Sequence, residues 1–236
     1  MRRLLLSLSV VGIVTAFITP ANAAAQQSVS LYLGGFVPRG EDARASGDVL
    51  FNNLFNGEYS LRYRIDDFTG FTFGGEWLVA IGDRLEAGLG AGVYSKKVQS
   101  TYADRINRNG SEIEQDLKLR IVPLTATLRF LPLGRQSALQ PYVGGGVGVM
   151  AWRYSETGEF VDSFDDTIFG GSFVGSGSAA GPVILGGVRI PVGASDLGAE
   201  VRYQSAEGDL PAEQGFLGTK IDVGGFNYLL TFNIRF

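Results

Sequence analysis

The last ten residues of the chain, Asn227 to Phe236, read N-Y-L-L-T-F-N-I-R-F. From Phe226 onward every second residue is large and apolar, and the intervening residues are polar except Leu229. Because successive side chains of a β-strand point to opposite faces, this period of two predicts one apolar face and one polar face. A strand this regular needs partners along both edges to avoid aggregation. We therefore expect it to pair with the first strand, which closes the sheet into a barrel.

The beginning of the chain has the pattern of a secretory signal peptide. A basic start, Met1 to Arg3, precedes an apolar run from Leu4 to Ile18 that is too short to cross a bilayer as a helix. Small residues then form an A-x-A cleavage signal. We expect a signal peptide over residues 1–23, or 1–25, and a barrel domain over residues 24–236. An uncleaved amino-terminal anchor is the alternative.

The composition argues against two classes of protein. Removal of the signal peptide takes away Arg2 and Arg3 and no acidic residue, so the formal net charge falls from −4 to −6. A nucleic-acid partner would require a basic surface, and we therefore expect none. The chain also lacks cysteine, so it is not a disulfide scaffold and depends on backbone hydrogen bonds and packing.

The chain has no histidine, which limits the chemistry it can perform. Nucleophilic catalysis by serine or threonine usually needs a nearby base, most often histidine. A Ser–Lys pair is the arrangement that remains, and no serine stands at a spacing that singles it out beside Lys96, Lys97, Lys118 or Lys220. The sequence therefore predicts a non-catalytic protein with no cofactor and no metal centre.

Two charged segments are interpreted as solvated loop surface. Carboxylates such as Glu159, Asp162, Asp165 and Asp166 could hold Ca²⁺ or bridge lipopolysaccharide through divalent ions, but they lack the spacing of a calcium-binding loop. The cluster from Arg39 to Arg44 contains both signs of charge. Charge-rich loops seldom need another explanation, so neither segment is expected to form a site.

Eight alternating segments are predicted to be strands, and the connections between them are long and short in turn. The alternation places every long loop at one rim and the short turns with both termini at the other, as in bacterial outer-membrane barrels. The predicted strands are Val29–Pro38, Gly70–Ile81, Arg84–Tyr94, Ile113–Leu131, Pro141–Trp152, Gly181–Val192, Leu197–Gln204 and the terminal stretch. For the second strand, an earlier start within residues 58–70 is the alternative. The predicted long loops are residues 39–69, 95–111, 154–180 and 205–218.

The fourth predicted strand contains an irregularity. Its alternation changes phase at Ile121 and Val122, beside Pro123. Proline is confined to edges and bulges in sheets, so this position indicates either a β-bulge or the edge of the membrane.

The polar faces of the predicted strands carry glycines as well as charges. Glu86 shares a face with Gly88, and Glu200 shares one with Gly198. Solvent outside a soluble barrel would require no glycine there, whereas a narrow interior needs small residues beside long ones, so this face points inward. An arginine facing lipid near the bilayer centre would cost about 2–4 kcal/mol. The sequence therefore predicts a paired charge network in the lumen, formed by Glu76, Glu86, Arg129, Arg189, Glu200, Arg202 and Arg235.

Three features together resemble a known family: the terminal strand ending in Phe236, the run P-Y-V-G-G-G-V-G from Pro141 to Gly148, and the signal peptide. The chain resembles the small eight-stranded outer-membrane β-barrel proteins, the class of outer membrane proteins A, X and W and the opacity proteins. The resemblance implies an all-β, eight-stranded, antiparallel, up-and-down transmembrane barrel in the bacterial outer membrane. It also implies that the barrel-assembly machinery reads the terminal strand through Tyr228, Phe232 and Phe236.

We expect a monomeric barrel in contact with outer-membrane lipid and lipopolysaccharide. Its closed, charged lumen and its surface loops would serve envelope integrity, surface binding or adhesion. One alternative is a narrow channel or a lateral-exit transporter for small apolar molecules, which would need an apolar cluster inside the upper strands. The candidates for that cluster are Phe73, Leu78, Met150 and Leu185. The other alternative is a soluble periplasmic ligand-binding barrel.

Overall fold

A computed structural model describes residues 27–236 of the chain, and the expected signal peptide lies outside them. Each strand pairs antiparallel with its neighbours in sequence, and the first strand pairs with the last from Ser28↔Arg235 to Pro38↔Gly225, which closes the ring. The predicted eight-stranded, antiparallel, up-and-down barrel is confirmed. Its strands are β1 (Gln27–Pro38), β2 (Gly70–Ile81), β3 (Leu85–Ile106), β4 (Glu112–Phe130), β5 (Gln140–Val161), β6 (Ile168–Val192), β7 (Ser195–Gln204) and β8 (Gly225–Arg235).

The eight strands have unequal heights. β1, β2, β7 and β8 contain 10 to 12 residues, whereas β3 to β6 contain 19 to 25. The hairpins β3–β4 and β5–β6 therefore stand above the rest of the barrel as a four-stranded wall. Most of the predicted loops 95–111 and 154–180 is strand, and the connections shrink to residues 107–111 and 162–167. The prediction of long loops there was wrong because polar residues on one face of these strands resemble loop sequence.

The irregularity near Pro123 is not a bulge. The pairing of β3 with β4 keeps one register on both sides of it, from Ala91↔Leu124 to Tyr94↔Ile121, and the register shift lies higher, between Thr101 and Ile106. What changes is the face that carries the apolar residues. Below Pro123 the outward residues are apolar and exposed, and above it the inward residues are apolar and buried. The phase change therefore fits the predicted alternative, the membrane edge.

The first long connection, residues 39–69, is folded. It contains one short helix, α1 (Val49–Leu54), together with 3-10 turns and the two-residue strand Leu61–Arg62, which pairs with β3 at Tyr102 and Thr101. Asp48 caps α1 by accepting a hydrogen bond from the backbone N–H of Phe51, as helix N-caps do. No helix within residues 27–236 is long and apolar enough to cross a lipid bilayer.

The last long connection, residues 205–224, forms a small hairpin of its own. Strands Glu207–Asp209 and Lys220–Asp222 pair antiparallel beside the upper part of the barrel. A parallel bridge joins Asp48 to Lys220, so the first and last connections meet over the barrel. The predicted loop 205–218 is thus partly structured.

Candidate functional site

Four charged side chains form a closed ring of ion pairs in the lower interior. Arg202 lies 3.0 Å from a carboxylate oxygen of Glu76 and 2.7 Å from one of Glu200. Arg129 lies 2.9 Å from the second carboxylate oxygen of Glu200 and also pairs with Glu76. Glu76 and Glu200 are each 2% exposed and Arg202 is 4% exposed, so all three point into the barrel. We call Glu76, Arg129, Glu200 and Arg202 the lumen quartet.

Neighbouring polar and aromatic groups hold the lumen quartet in place. The Thr127 hydroxyl donates a hydrogen bond of 2.8 Å to Glu76, and the Tyr142 hydroxyl donates one of 3.0 Å to Glu200. The guanidinium of Arg129 lies 4.9 Å from the centre of the Tyr142 ring, a cation–π distance. A Cβ atom added at Gly88 would clash with the Glu76 carboxylate, so this glycine provides the space that the long acid needs.

The other predicted network residues lie in separate pairs. Arg189 contacts Glu86 at 2.5 Å and donates a hydrogen bond of 2.8 Å to Gln140. Arg235 pairs with Asp196 at the rim that holds the short turns. The prediction had placed Arg235 in one network with Glu76, Glu86 and Glu200. The sequence prediction missed Asp196 because it began the seventh strand at Leu197 and left Asp196 in the preceding turn, whereas β7 begins at Ser195. Arg135 also lies 3.4 Å from Glu86. The charged interior therefore consists of the lumen quartet, Glu86 with Arg189 and Arg135, and a partly exposed pair at the rim.

The upper interior is apolar. It is lined by the inward residues of the tall strands, and Val49 and Leu50 of α1 fill it from within, both fully buried. Phe73, a candidate for this cluster, instead lies exposed on the outer face. Leu78 and Leu185 are buried outside the upper cluster. The apolar side chains that the tall strands turn inward include Val98, Ile113, Leu117, Leu119, Ile121, Met150, Trp152 and Tyr154.

A buried group of charges fastens the folded connections to each other. Arg44 donates hydrogen bonds of 2.6 and 3.0 Å to the two oxygens of Asp48, and Asp48 also accepts one of 2.6 Å from the backbone N–H of Asp222. Arg39 donates a hydrogen bond of 2.8 Å to the Asp222 carboxylate. The interpretation of Arg39 to Arg44 as loop surface was therefore wrong. We call Arg39, Arg44, Asp48 and Asp222 the loop latch.

A lone carboxylate lies inside the upper cluster. Glu156 on β5 is buried and accepts hydrogen bonds of 2.7 Å from the Asn53 side chain and 2.9 Å from the Tyr154 hydroxyl. Burial raises the pKa of Glu156 above its ordinary value, and these two hydrogen bonds act in the opposite direction. The inward position of Glu156 follows from the continued alternation of β5, which the loop prediction concealed.

The predicted acidic loop uses its carboxylates within the protein. Asp166 accepts hydrogen bonds from Tyr59 and Arg105, and Asp165 accepts two from Thr167. Within residues 27–236 no group of three or more acidic side chains could hold a metal ion.

The outer surface below the phase change is apolar around the whole ring. Each strand contributes outward side chains that are more than half exposed: Leu31, Phe71, Leu89, Leu128, Val147, Ile184, Leu197 and Leu230. Water-soluble surfaces rarely carry contiguous apolar patches larger than a few hundred Å². Over this lower part of the strands the buried charged side chains point inward, which is the reverse of a soluble barrel. The chain is a membrane-spanning β-barrel.

The three aromatic residues of the terminal strand belong to this outer surface. Tyr228, Phe232 and Phe236 all face outward and are exposed. The membrane-spanning barrel thus presents them along one side of β8, next to β1 and β7. Their role in assembly stays a prediction.

Solved structures share the fold at low sequence identity. Neisserial surface protein A is 15% identical, with 91% of this chain and 100% of that chain covered and a TM-score of 0.47. Ail, the attachment invasion locus protein of Yersinia pestis, is 14% identical over 91% and 100%, with a TM-score of 0.44. The amino-terminal β-barrel domain of Pseudomonas aeruginosa OprF is 11% identical over 91% and 100%, with a TM-score of 0.42. No protein-family model and no curated protein sequence matches the chain.

Proposed function

We propose that this chain is a non-catalytic barrel of a Gram-negative-type outer membrane, closed to ions, that stabilises the envelope and holds a rigid platform above it. The observation that carries the proposal is the phase change on the tall strands. Below the phase change these strands carry their apolar side chains on the outer face, where lipid would surround them. Above it they carry apolar side chains on the inner face, and water would surround the outer one. A barrel built this way has one half for hydrocarbon and one half for the cell surface.

The sequence supports export and assembly by the usual route. The predicted signal peptide directs the chain out of the cytoplasm. Tyr228, Phe232 and Phe236 are available to the barrel-assembly machinery on the outer face. Because β1 and β8 pair with each other, the ring leaves no free edge below the phase change, and we propose a monomer surrounded by lipid and lipopolysaccharide.

The interior favours a closed barrel at two levels. The lumen quartet and the Glu86–Arg189 pair occupy the lower half, and each of their three acids is ion-paired. Val49 and Leu50 occupy the upper half. Side chains of the chain itself pack into the apolar upper interior that a lateral-exit transporter would need as a route, and we therefore favour the closed barrel over transport.

Planar-bilayer recording tests the closure. We expect the purified full-length barrel to insert and to show no stable conductance steps, because ion pairs and α1 fill the lumen. A known general porin in the same bilayer is the positive control. Protease protection in liposomes checks insertion independently. Sustained steps of uniform size from inserted protein would contradict the closed lumen.

A surface-binding role is favoured by exposed aromatic and aliphatic side chains on the upper part. Phe164, at the tip of the β5–β6 hairpin, is 97% exposed, and Phe55 and Leu217 are also exposed. None of the three lies in the apolar outer ring, so lipid does not cover them. Exposed apolar groups mark interaction sites where they form one patch, so the proposed role requires these three side chains to act together.

The double variant Phe55→Ser/Phe164→Ser tests this role. We expect it to fold normally and to lower the adhesion of producing cells to epithelial layers and to polystyrene several-fold, because it removes apolar contact area only at the cell surface. The matched control is Leu133→Ser, which removes an apolar side chain about as exposed as Phe55 from the opposite rim. Unchanged adhesion of the double variant at equal surface display would rule the surface patch out.

A further inference from the structure

Four cations stand together on the outer face of the wall, directly above the apolar ring. They are Lys97 on β3, Lys118 and Arg120 on β4, and Arg153 on β5, and all four are exposed. We call them the outer cation cluster. They lie on a protein whose overall charge is negative, so their concentration at one height is not a reflection of composition.

Strand register brings these cations into direct opposition. Lys97 is paired with Lys118, and Arg120 is paired with Arg153. Like charges directly opposite each other on neighbouring strands destabilise a sheet. Lys97 has an exposed ion pair with Asp116 at 2.8 Å, whereas within residues 27–236 Lys118, Arg120 and Arg153 have no ion-pair partner. The positive charges of Lys118, Arg120 and Arg153 are therefore left without an ion pair in this part of the chain.

The height of the cluster matches the layer of lipid headgroups. The outward residues one step below Arg120 and Arg153 are Val122 and Ala151, which are paired with each other. One step is two residues, about 7 Å along a strand. Arg120 and Arg153 thus lie within about 7 Å of the uppermost of the apolar residues below them, Val122 and Ala151. A lipid likewise carries its phosphates directly above its acyl chains.

We infer that the outer cation cluster binds the phosphates of a phosphorylated glycolipid of the lipopolysaccharide kind, whose acyl chains lie against the apolar rows below. Arginine donates paired N–H groups in a planar fork that matches phosphate geometry, and two arginines side by side suit a group with more than one negative charge. Binding removes the repulsion between the opposed cations. The inference rests on the proposed function, because the tall wall must face the outer leaflet.

Nanodiscs of defined lipid test the inference with the full-length barrel. The midpoint temperature of unfolding is measured in phosphatidylcholine alone, with added bisphosphorylated lipid A, and with added lipid A that lacks its phosphates. We expect the bisphosphorylated lipid to raise the midpoint by several degrees and the dephosphorylated lipid to raise it less. The variant K118Q/R120Q/R153Q is expected to fold in phosphatidylcholine like the wild type and to lose most of the phosphate-dependent rise.

A matched variant separates local binding from net charge. R62Q/R64Q/R108Q removes the same three charges from exposed positions higher on the protein, and it is expected to keep the rise. The inference would be overturned if bisphosphorylated lipid A raised the unfolding midpoint of K118Q/R120Q/R153Q as much as that of the wild type. It would also be overturned if the two forms of lipid A raised the wild-type midpoint equally. Failure of the wild type to insert into any bilayer would instead refute the proposed function.

Discussion

Replacing Arg202 by leucine is expected to destabilise the folded barrel by about 3–5 kcal/mol, the usual cost of breaking a buried ion pair from one side. Arg202 contacts both acids of the lumen quartet, so its loss leaves Glu76 and Glu200 to share Arg129. The measurement is the urea concentration at which half of the barrel is unfolded in detergent micelles. Folded and unfolded protein are distinguished by their different migration on gels without heating.

Two further variants identify the cause of that loss. The double variant Glu200→Leu/Arg202→Leu leaves the Glu76–Arg129 pair intact and balanced, so we expect it to recover much of the stability that Arg202→Leu loses. Arg202→Lys keeps the charge without the forked geometry and should fall between Arg202→Leu and wild type. A wild-type midpoint in Arg202→Leu would show that the quartet does not hold the barrel together.

The substitution Asp48→Ala is expected to release residues 39–69 while the barrel stays folded. Asp48 caps α1, pairs with Arg44 and accepts a hydrogen bond from the Asp222 backbone, so the substitution removes three interactions at once. Breaking the buried pair costs about 3–5 kcal/mol, and loss of the N-cap adds about 1 kcal/mol. Rapid cleavage of this segment by trypsin in liposomes, with the barrel protected, is the expected readout.

The control for the loop latch is the exposed pair formed by Arg64 and Asp66, whose side chains are largely in solvent. Such pairs contribute about 0–1 kcal/mol, so Asp66→Ala should leave cleavage close to wild type. Asp48→Asn keeps a capping side chain and loses the charge, and should lie between the two. If Asp48→Ala resists trypsin as the wild type does, α1 is held by its apolar contacts alone.

The sequence predicts more of the strand arrangement than of the barrel interior. Alternation and connection lengths are enough to number the strands, and glycines that share a face with charges indicate which side is narrow. The upper half could not be predicted, because Leu117, Leu119 and Ile121 follow the same period of two as the residues below and differ only in which face they occupy. The loop latch has a local sequence signal, since Asp48 stands directly before the apolar residues Val49 and Leu50 as an N-cap does.

The inversion of the apolar face beside Pro123 fixes how deeply the protein can sit in a bilayer. If the barrel sank by one step, Arg120 and Arg153 would enter the hydrocarbon, where a cation costs up to about 2–4 kcal/mol at the centre. If it rose by one step, Val122 and Ala151 would lose their acyl-chain neighbours to water. A bilayer whose thickness does not match must therefore thicken or thin locally around this protein, because vertical displacement of the protein is unfavourable in both directions.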